Sequence, residues 1–256
     1  MSDFHMVVCV KAVPGSTEVK MDPKTNTIVR DGKQAVINPF DASALECALA
    51  LKDDFIGFGM DVRVTVVSMG IPATESLLRD CIARGADDAL LLTDRAFAGA
   101  DTLATSYALA TAIKKIGDYD VIIGGRQAID GDTAQVGPQV AEKLGLTQVT
   151  YAEEILNVDK AAKKITVKRH IDGGVETVEA PLPIVITVNG SAAPCRPRNA
   201  KLVQKYKRAL GAQEKAAITK EGAELAYAGL YEKYPYLNIT EWSVADVNGD
   251  LAQCGL

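Results

Sequence analysis

Four short apolar runs dominate the first 125 residues: Met6–Lys11 (MVVCVK), Val62–Gly70 (VRVTVVSMG), Ala89–Asp94 (ALLLTD) and the VIIGG run that begins at Val121. Stretches with helical spacing lie between them. Strands that alternate with helices in this way form a parallel sheet, because each parallel pair needs a crossover connection. Runs that are continuously apolar are those covered by helices on both faces. The expected fold is therefore α/β, a doubly wound, mostly parallel sheet.

Finer elements follow from local chemistry. EVKMDPKTNTIVRDG reads as a hairpin turning at PKTN. A helix is expected after Asn38-Pro39-Phe40-Asp41, with Asp41 as its N-cap. Further helices are expected over Thr74–Arg84, with Gly85 as terminator, and from Asp101 or Thr102 to about Ile116. Another is expected over Thr133–Leu144. After about residue 150 the pattern changes to an antiparallel hairpin, about 152–188, that turns at Gly173-Gly174 and is followed by an apolar strand. From Asn189 the sequence NGSAAPCRPRNAKLVQKYKRA reads as an exposed basic loop. A weak helical stretch over about Gln213–Tyr227 and an irregular end complete the chain.

Composition narrows the function. The 256 residues are 48 % hydrophobic, enough for one large α/β domain or one domain with an appendage. A net charge of −5 argues against general nucleic-acid binding. No run approaches the roughly 20 apolar residues of a membrane span. MSDFHMVVCVKAV lacks a basic segment before its apolar run, so it is read as a first strand rather than a secretory signal, and a cytoplasmic location is expected. The five scattered cysteines form no C-x-x-C pair, and two histidines are too few for a histidine metal site, so no metal is expected.

In an open parallel sheet, ligands bind beyond the carboxyl ends of the strands. Here those ends are Val10-Lys11-Ala12, Ser68-Met69-Gly70, Thr93-Asp94 and Gly124-Gly125-Arg126. Small residues there allow close approach of a flat, phosphorylated ligand. In VIIGGRQAIDGDTAQVGPQVAEKLG, Gly124 and Gly125 let the main chain pass close to a ligand. A helix starting near Thr133 would offer N–H groups and a positive dipole end to a phosphate. Thr133 and Gln135 add donors. Asp132 fits an N-cap in a D-x-x-Q box, and Asp130 can accept from a ribose hydroxyl or an adenine amine. The plainer alternative is a strand–loop–helix turn with no ligand. The pattern is neither G-x-G-x-x-G nor a Walker loop. ADTLATS, Ala100–Ser106, holds Asp101 and Thr105 and reads either as a helix cap or as the mouth of the same crevice. Lys11 is either solvated or faces a phosphate or flavin carbonyl. Asn38 is either a turn residue or a contact.

These pieces together resemble the β subunit of electron transfer flavoprotein. VCVKAVP, NPFDASALECAL, VVSMG, CIARGADDALLLTD and GRQAIDGDTAQVG fall in that family's order, as does Val167–Thr187 with its basic residue, acidic-Gly-Gly turn and later proline. The resemblance implies an adenine-nucleotide-binding, Rossmann-like sheet over residues 1–190. It implies a partner-recognition loop and an extended C-terminal arm over 191–256, docking on an α subunit that carries its own FAD. Carried over by position, the cofactor contacts are Cys9, the Asn38–Asp41 segment, Met69 and the loop Gly125–Val136. That loop comprises Gly125, Arg126, Gln127, Ala128, Asp130, Gly131, Asp132, Thr133, Ala134, Gln135 and Val136. Lys11, Asp101 and Thr105 join them from the strand-end argument.

The family has two branches. GADTLATS, DGDTAQVGP and the tail WSVADVNGDLAQCGL look like the branch that binds a second FAD in β, takes hydride from NADH and splits the electron pair. The implied partners are the α subunit, ferredoxin and an acyl-CoA or enoyl-CoA dehydrogenase-like flavoprotein. The implied role is an electron-transfer subunit rather than a stand-alone enzyme, with no catalytic side chain except a flavin-tuning role for Arg126. The alternatives are a shuttle-type β subunit that binds AMP structurally, and a non-redox adenine-nucleotide module. Asn189–Ala200 departs from the shuttle-type recognition loop in being Pro-rich and basic.

Overall fold

The computed structural model describes residues 2–15, 35–220 and 228–255. The predicted EVKMDPKTNTIVRDG hairpin, and the end of the helix predicted over 213–227, lie outside the described residues.

Strand β1 (Phe4–Cys9) sits at the middle of a large sheet. After it come β2 (Ala12–Pro14), β3 (Ala35–Ile37), helix α1 (Pro39–Gly57), β4 (Val62–Met69), α2 (Glu75–Arg84) and β5 (Asp88–Leu92). Then follow α3 (Thr102–Ile116), β6 (Val121–Gly125), α4 (Val136–Leu144) and β7 (Thr147–Asp159). The remainder is β8 (Lys164–Ile171), β9 (Gly174–Pro181), β10 (Ile184–Val188), α5 (Ala200–Lys205), α6 (Ala212–Lys220), α7 (Ala228–Lys233) and β11 (Thr240–Trp242). The sheet order is β11-β5-β4-β1-β6-β10-β7-β8-β9, with β2 and β3 as a separate antiparallel pair. Every pairing from β11 to β7 is parallel, and β8 and β9 add antiparallel strands at the far edge.

The continuously apolar strands divide their side chains between two core layers. Met6, Val8, Val64, Val66, Ile123 and Ile186 pack with Ala44, Leu45, Ala48 and Leu49 of α1 and Leu78 of α2. Val7, Val67, Leu92, Ile122 and Val185 pack with Leu109 and Ile113 of α3 and Val140 of α4. Each fully buried Leu or Ile contributes about 1.5–3 kcal/mol. After β1 the chain runs outward through β4 and β5, then returns to β6 on the other side of β1. That reversal opens a crevice at the carboxyl ends.

The head of α1 pins this crevice. The helix starts at Pro39, with Asn38 before it and Asp41 in the first turn, so Asp41 is not the predicted N-cap. Its carboxylate is buried and accepts the main-chain N–H groups of Lys11 (2.8 Å) and Gly125 (2.9 Å). It therefore ties the exits of β1 and β6 to α1. Burial pushes the Asp41 carboxyl up to about 7, against those N–H bonds.

The segment after Asn189 is largely exposed, as its composition suggests, but it is also anchored to the body of the protein. The Arg196 guanidinium donates to Glu46 (2.9 Å) and Asp53 (2.7 Å) of α1. Arg84 donates to the Arg196 carbonyl (2.6 Å), and Asn199 N donates to that of Ala83 (2.7 Å). Arg196 is spent on acids that helical periodicity alone does not bring near it. The C-terminal segment also folds back. β11 extends the sheet beside β5, and Val244, Val247 and Cys254 are buried in the second core layer. Glu75, 1 % exposed, accepts Gly211 N (2.7 Å), and Glu241 accepts Gln213 N (3.0 Å). A Cβ on Gly211 would collide with both carboxylates. Burial lifts the Glu75 carboxyl to about 7, opposed by the Gly211 bond and Arg79.

Two predictions follow from these carboxylates. Asp41→Asn sets an amide N–H against one of two main-chain donors. It is expected to cost about 1–3 kcal/mol at pH 8, read as a lower urea midpoint. Both acids hold a proton more tightly folded than unfolded, where carboxyls titrate near about 4. Their contribution therefore rises as pH falls from 7 toward 4 and is lost as pH rises through 7. The Asp41→Asn/Glu75→Gln double variant should show a shallower change of urea midpoint between pH 5 and 8 than the parent. Equal slopes would rule out these groups as its source.

Candidate functional site

The carboxyl ends of β1, β4, β5 and β6 open into a cavity of about 1640 Å³. Its wall runs from Ala12–Pro14 and Ala35 across the strand ends to Ile71–Leu77 and the stretch from Asp94 to Thr105. Ligand pockets are commonly about 300–1,000 Å³, so this one is large enough for a dinucleotide. Of the residues singled out in the sequence, Cys9, Lys11, Asn38, Asp41, Met69, Asp101 and Thr105 line it. So do Gly125, Arg126, Gln127, Ala128, Gly131, Asp132, Thr133, Ala134, Gln135 and Val136. Asp130 reaches the same place through an ion pair with Lys11, Nζ to Oδ1 2.6 Å. The lysine is thus neither merely solvated nor a bare cation.

Asn38 is fully buried and organises the loop after β6. Its Nδ2 donates to the Gln127 carbonyl (2.8 Å), and its Oδ1 accepts Ile129 N (3.2 Å). A second bond, Asn38 N to the Lys11 carbonyl (2.9 Å), joins the same asparagine to the exit of β1. Neighbouring Asp41 holds Gly125, and a Cβ there would lie 2.6 Å from the Phe40 Cβ. The head of α1 therefore itself requires a glycine at position 125. Gly124 has no such conflict, since its nearest neighbour would be an ordinary 3.8 Å away.

The loop stays irregular longer than predicted, and α4 begins at Val136 instead of Thr133. Asp132 and Ala134 have φ of 55° and 54°, in the left-handed region that a right-handed helix cannot pass through. Asp132 is therefore not the N-cap, and its carboxylate accepts the Gln127 side-chain amide instead. Gln135 holds the cap position without capping. Its amide oxygen accepts the Thr102 hydroxyl (3.1 Å), linking the heads of α3 and α4. Two non-glycine residues in this conformation beside a cavity mark a constrained loop. Val136 and Gly137 head α4, and Pro138 brings no N–H, so the helix end offers fewer donors than a start at Thr133 would. Asp101 does cap α3, accepting Ala104 N (2.8 Å).

Arg126 lies against two rings, its guanidinium carbon 5.3 Å from the Phe40 centroid and 5.0 Å from that of Tyr151. Its Nε is buried with no acceptor among the described residues. A buried, undischarged donor at a cavity wall suits an electron-rich ligand atom. Cys9 is no nucleophile, because burial pushes its thiol up to about 12. No group of three His, Cys, Asp or Glu among the described residues could hold a metal. Sequence reasoning missed the wall at Ile71–Leu77, Gly137, Thr187 and Gln213. Gly137 carried a signal, since a Cβ there would strike the Thr187 methyl. Gln213 carried none, because it arrives from a distant segment. No helix among the described residues is long and apolar enough to cross a membrane.

Comparison with known proteins fits this picture. Residues 25–225 match the model of the electron transfer flavoprotein domain. Protein FixA of Azorhizobium caulinodans is 52 % identical over 189 residues, 72 % of this chain and 66 % of that protein. The caffeyl-CoA reductase-Etf complex subunit CarD of Acetobacterium woodii is 50 % identical over 184 residues, 72 % of this chain and 68 % of CarD. The electron transfer flavoprotein subunit beta of Megasphaera elsdenii is 43 % identical over 233 residues, 88 % of this chain and 84 % of that one. The matches to FixA proteins span slightly under two thirds of their length. The family model covers most of the chain, and an electron transfer flavoprotein subunit beta is 43 % identical over 88 % of it, so the chain belongs to the electron transfer flavoprotein family, as a β subunit.

Proposed function

We propose that the cavity holds an FAD and that the chain is the NADH-oxidising, bifurcating β subunit of a heterodimer with an FAD-bearing α subunit. The observation that carries this reading is the size of the cavity, about 1640 Å³, walled by residues from both sides of β1. A mononucleotide such as AMP needs far less room. When bound, the flavin would accept a hydride equivalent from NADH and pass single electrons to ferredoxin and, through the α-subunit FAD, to an acyl-CoA or enoyl-CoA dehydrogenase-like partner. Similarity to a subunit of a caffeyl-CoA reductase complex supports that last partner.

The chain's own residues bind and orient. Asn38 and Asp41 hold the Gln127–Ile129 loop and Gly125 in place before any ligand arrives. The N–H groups and positive dipole end of α4 favour a diphosphate beside Val136 and Gly137. The Arg126 Nε–H supplies a donor to an anionic or carbonyl oxygen of the cofactor. Cys9 and Met69, at the ends of β1 and β4, give uncharged contacts against the cofactor. In the same proposal residues 1–190 form the Rossmann-like nucleotide-binding unit, and 191–256 serve partner recognition and docking on the α subunit.

Acid extraction of the heterodimer tests the cofactor. Two FAD per heterodimer is the expected result. One FAD with one AMP would make this a shuttle-type subunit, and adenine nucleotide without flavin would make it a non-redox module. Arg126→Met keeps the stacking surface and removes the donor. It should weaken FAD retention about 10-fold or more, since a hydrogen bond to a charged group is worth about 1.5–3 kcal/mol. Undiminished FAD content after dialysis would remove Arg126 from the site.

A further inference from the structure

The chain carries a net charge of −5, yet residues 180–213 contain six basic residues and no acidic one. Arg196 is engaged internally with Glu46 and Asp53, and Arg198 with Asp80 (3.4 Å). Lys201, Lys205 and Lys207 are exposed and make no ion pair with the described residues. Lys205 lies over two rings, its Nζ 5.0 Å from the Tyr206 centroid and 4.7 Å from that of Tyr236. The rings meet edge-on at 5.3 Å, and Tyr236 is 42 % exposed. The surface is therefore cationic with an aromatic floor.

It is also rigidly presented. Asn199 caps α5 by accepting Lys201 N (2.9 Å), and its own N–H is fixed to Ala83. At the other end Arg79 donates to the Ala209 carbonyl (2.9 Å). The segment then runs through Gly211, held by Glu75, to Gln213 in the cavity wall. A fixed row of unpaired cations on an otherwise acidic protein works against its own repulsion unless an opposite charge arrives. It also steers an acidic protein to this spot.

We propose that Lys201, Lys205 and Lys207, with Tyr206 and Tyr236, form the docking surface for an acidic one-electron carrier protein. The redox role rests on the electron-transfer reading above, whereas the docking does not. The charge complementarity selects an acidic protein, and the chain leads from this surface through Gly211 to Gln213 in the cavity wall.

The test uses the intact heterodimer, immobilised, with a small acidic iron–sulfur ferredoxin as the probe in interferometry. The parent should associate quickly at low ionic strength and slow steeply as salt is added. Lys201→Glu/Lys205→Glu/Lys207→Glu should associate about 10-fold or more slowly at low salt, with nucleotide content unchanged. Equal rates in parent and variant would overturn the proposal. So would protection of the three lysines from acetylation in the heterodimer without probe, which would make the α subunit the occupant. Lysine-dependent binding of duplex DNA or phosphatidylserine vesicles that exceeds ferredoxin binding would overturn it as well. Interferometry reads docking whatever the cavity contains. A parent heterodimer that holds two FAD yet does not dock the probe sinks this surface alone, and absent flavin sinks the cofactor reading alone.

Discussion

One buried clamp underlies the rest of the structure. Asn38 and Asp41, side by side at the head of α1, bond the exit of β1 at Lys11 and the exit of β6 at Gly125, Gln127 and Ile129. Parallel strands flanking a topological switch diverge at their carboxyl ends, and nothing in the ladder itself fixes the loops there. Two short polar side chains, nearly without exposure, do so with main-chain hydrogen bonds that a low dielectric strengthens. The cavity keeps its shape because these groups are satisfied by the protein rather than by a ligand.

The clamp explains the odd composition of the β6 exit. Gly125 leaves room for Phe40 and Asp41, and the left-handed Asp132 and Ala134 carry the chain around the cavity before α4 can start. Lys11 and Asp130 pair across the crevice. Charge on this wall is thus largely balanced. Arg126 is braced by Phe40 and Tyr151, with a donor that has no acceptor among the described residues.

Much of this was legible in the sequence, for physical reasons. The continuous apolar runs identified β1, β4, β5 and β6 because both faces of each are covered, and the capping chemistry of Asp101 located α3. The strand-end argument found the crevice because a parallel sheet has one place to bind. The rest depends on contacts between distant segments. β7 begins at Thr147, earlier than the hairpin read from about 152, and its largely exposed TQVTYAEEILNVD gives little burial signal. Asp132 had the right spacing for a cap, but positive φ excluded it. Arg196 looked solvated because Glu46 and Asp53 lie about 150 residues away in sequence. β11 is three residues long and is recognisable as a strand only beside β5.

The central claim is that this preformed cavity is built for a dinucleotide. Calorimetric titration of the nucleotide-stripped heterodimer with FAD, AMP, and AMP in the presence of FAD tests it most directly. The account predicts that FAD occupies the β site at least about 10-fold more tightly than AMP and blocks AMP binding. AMP binding as tight as FAD at that site, or undiminished when FAD is present, would contradict it.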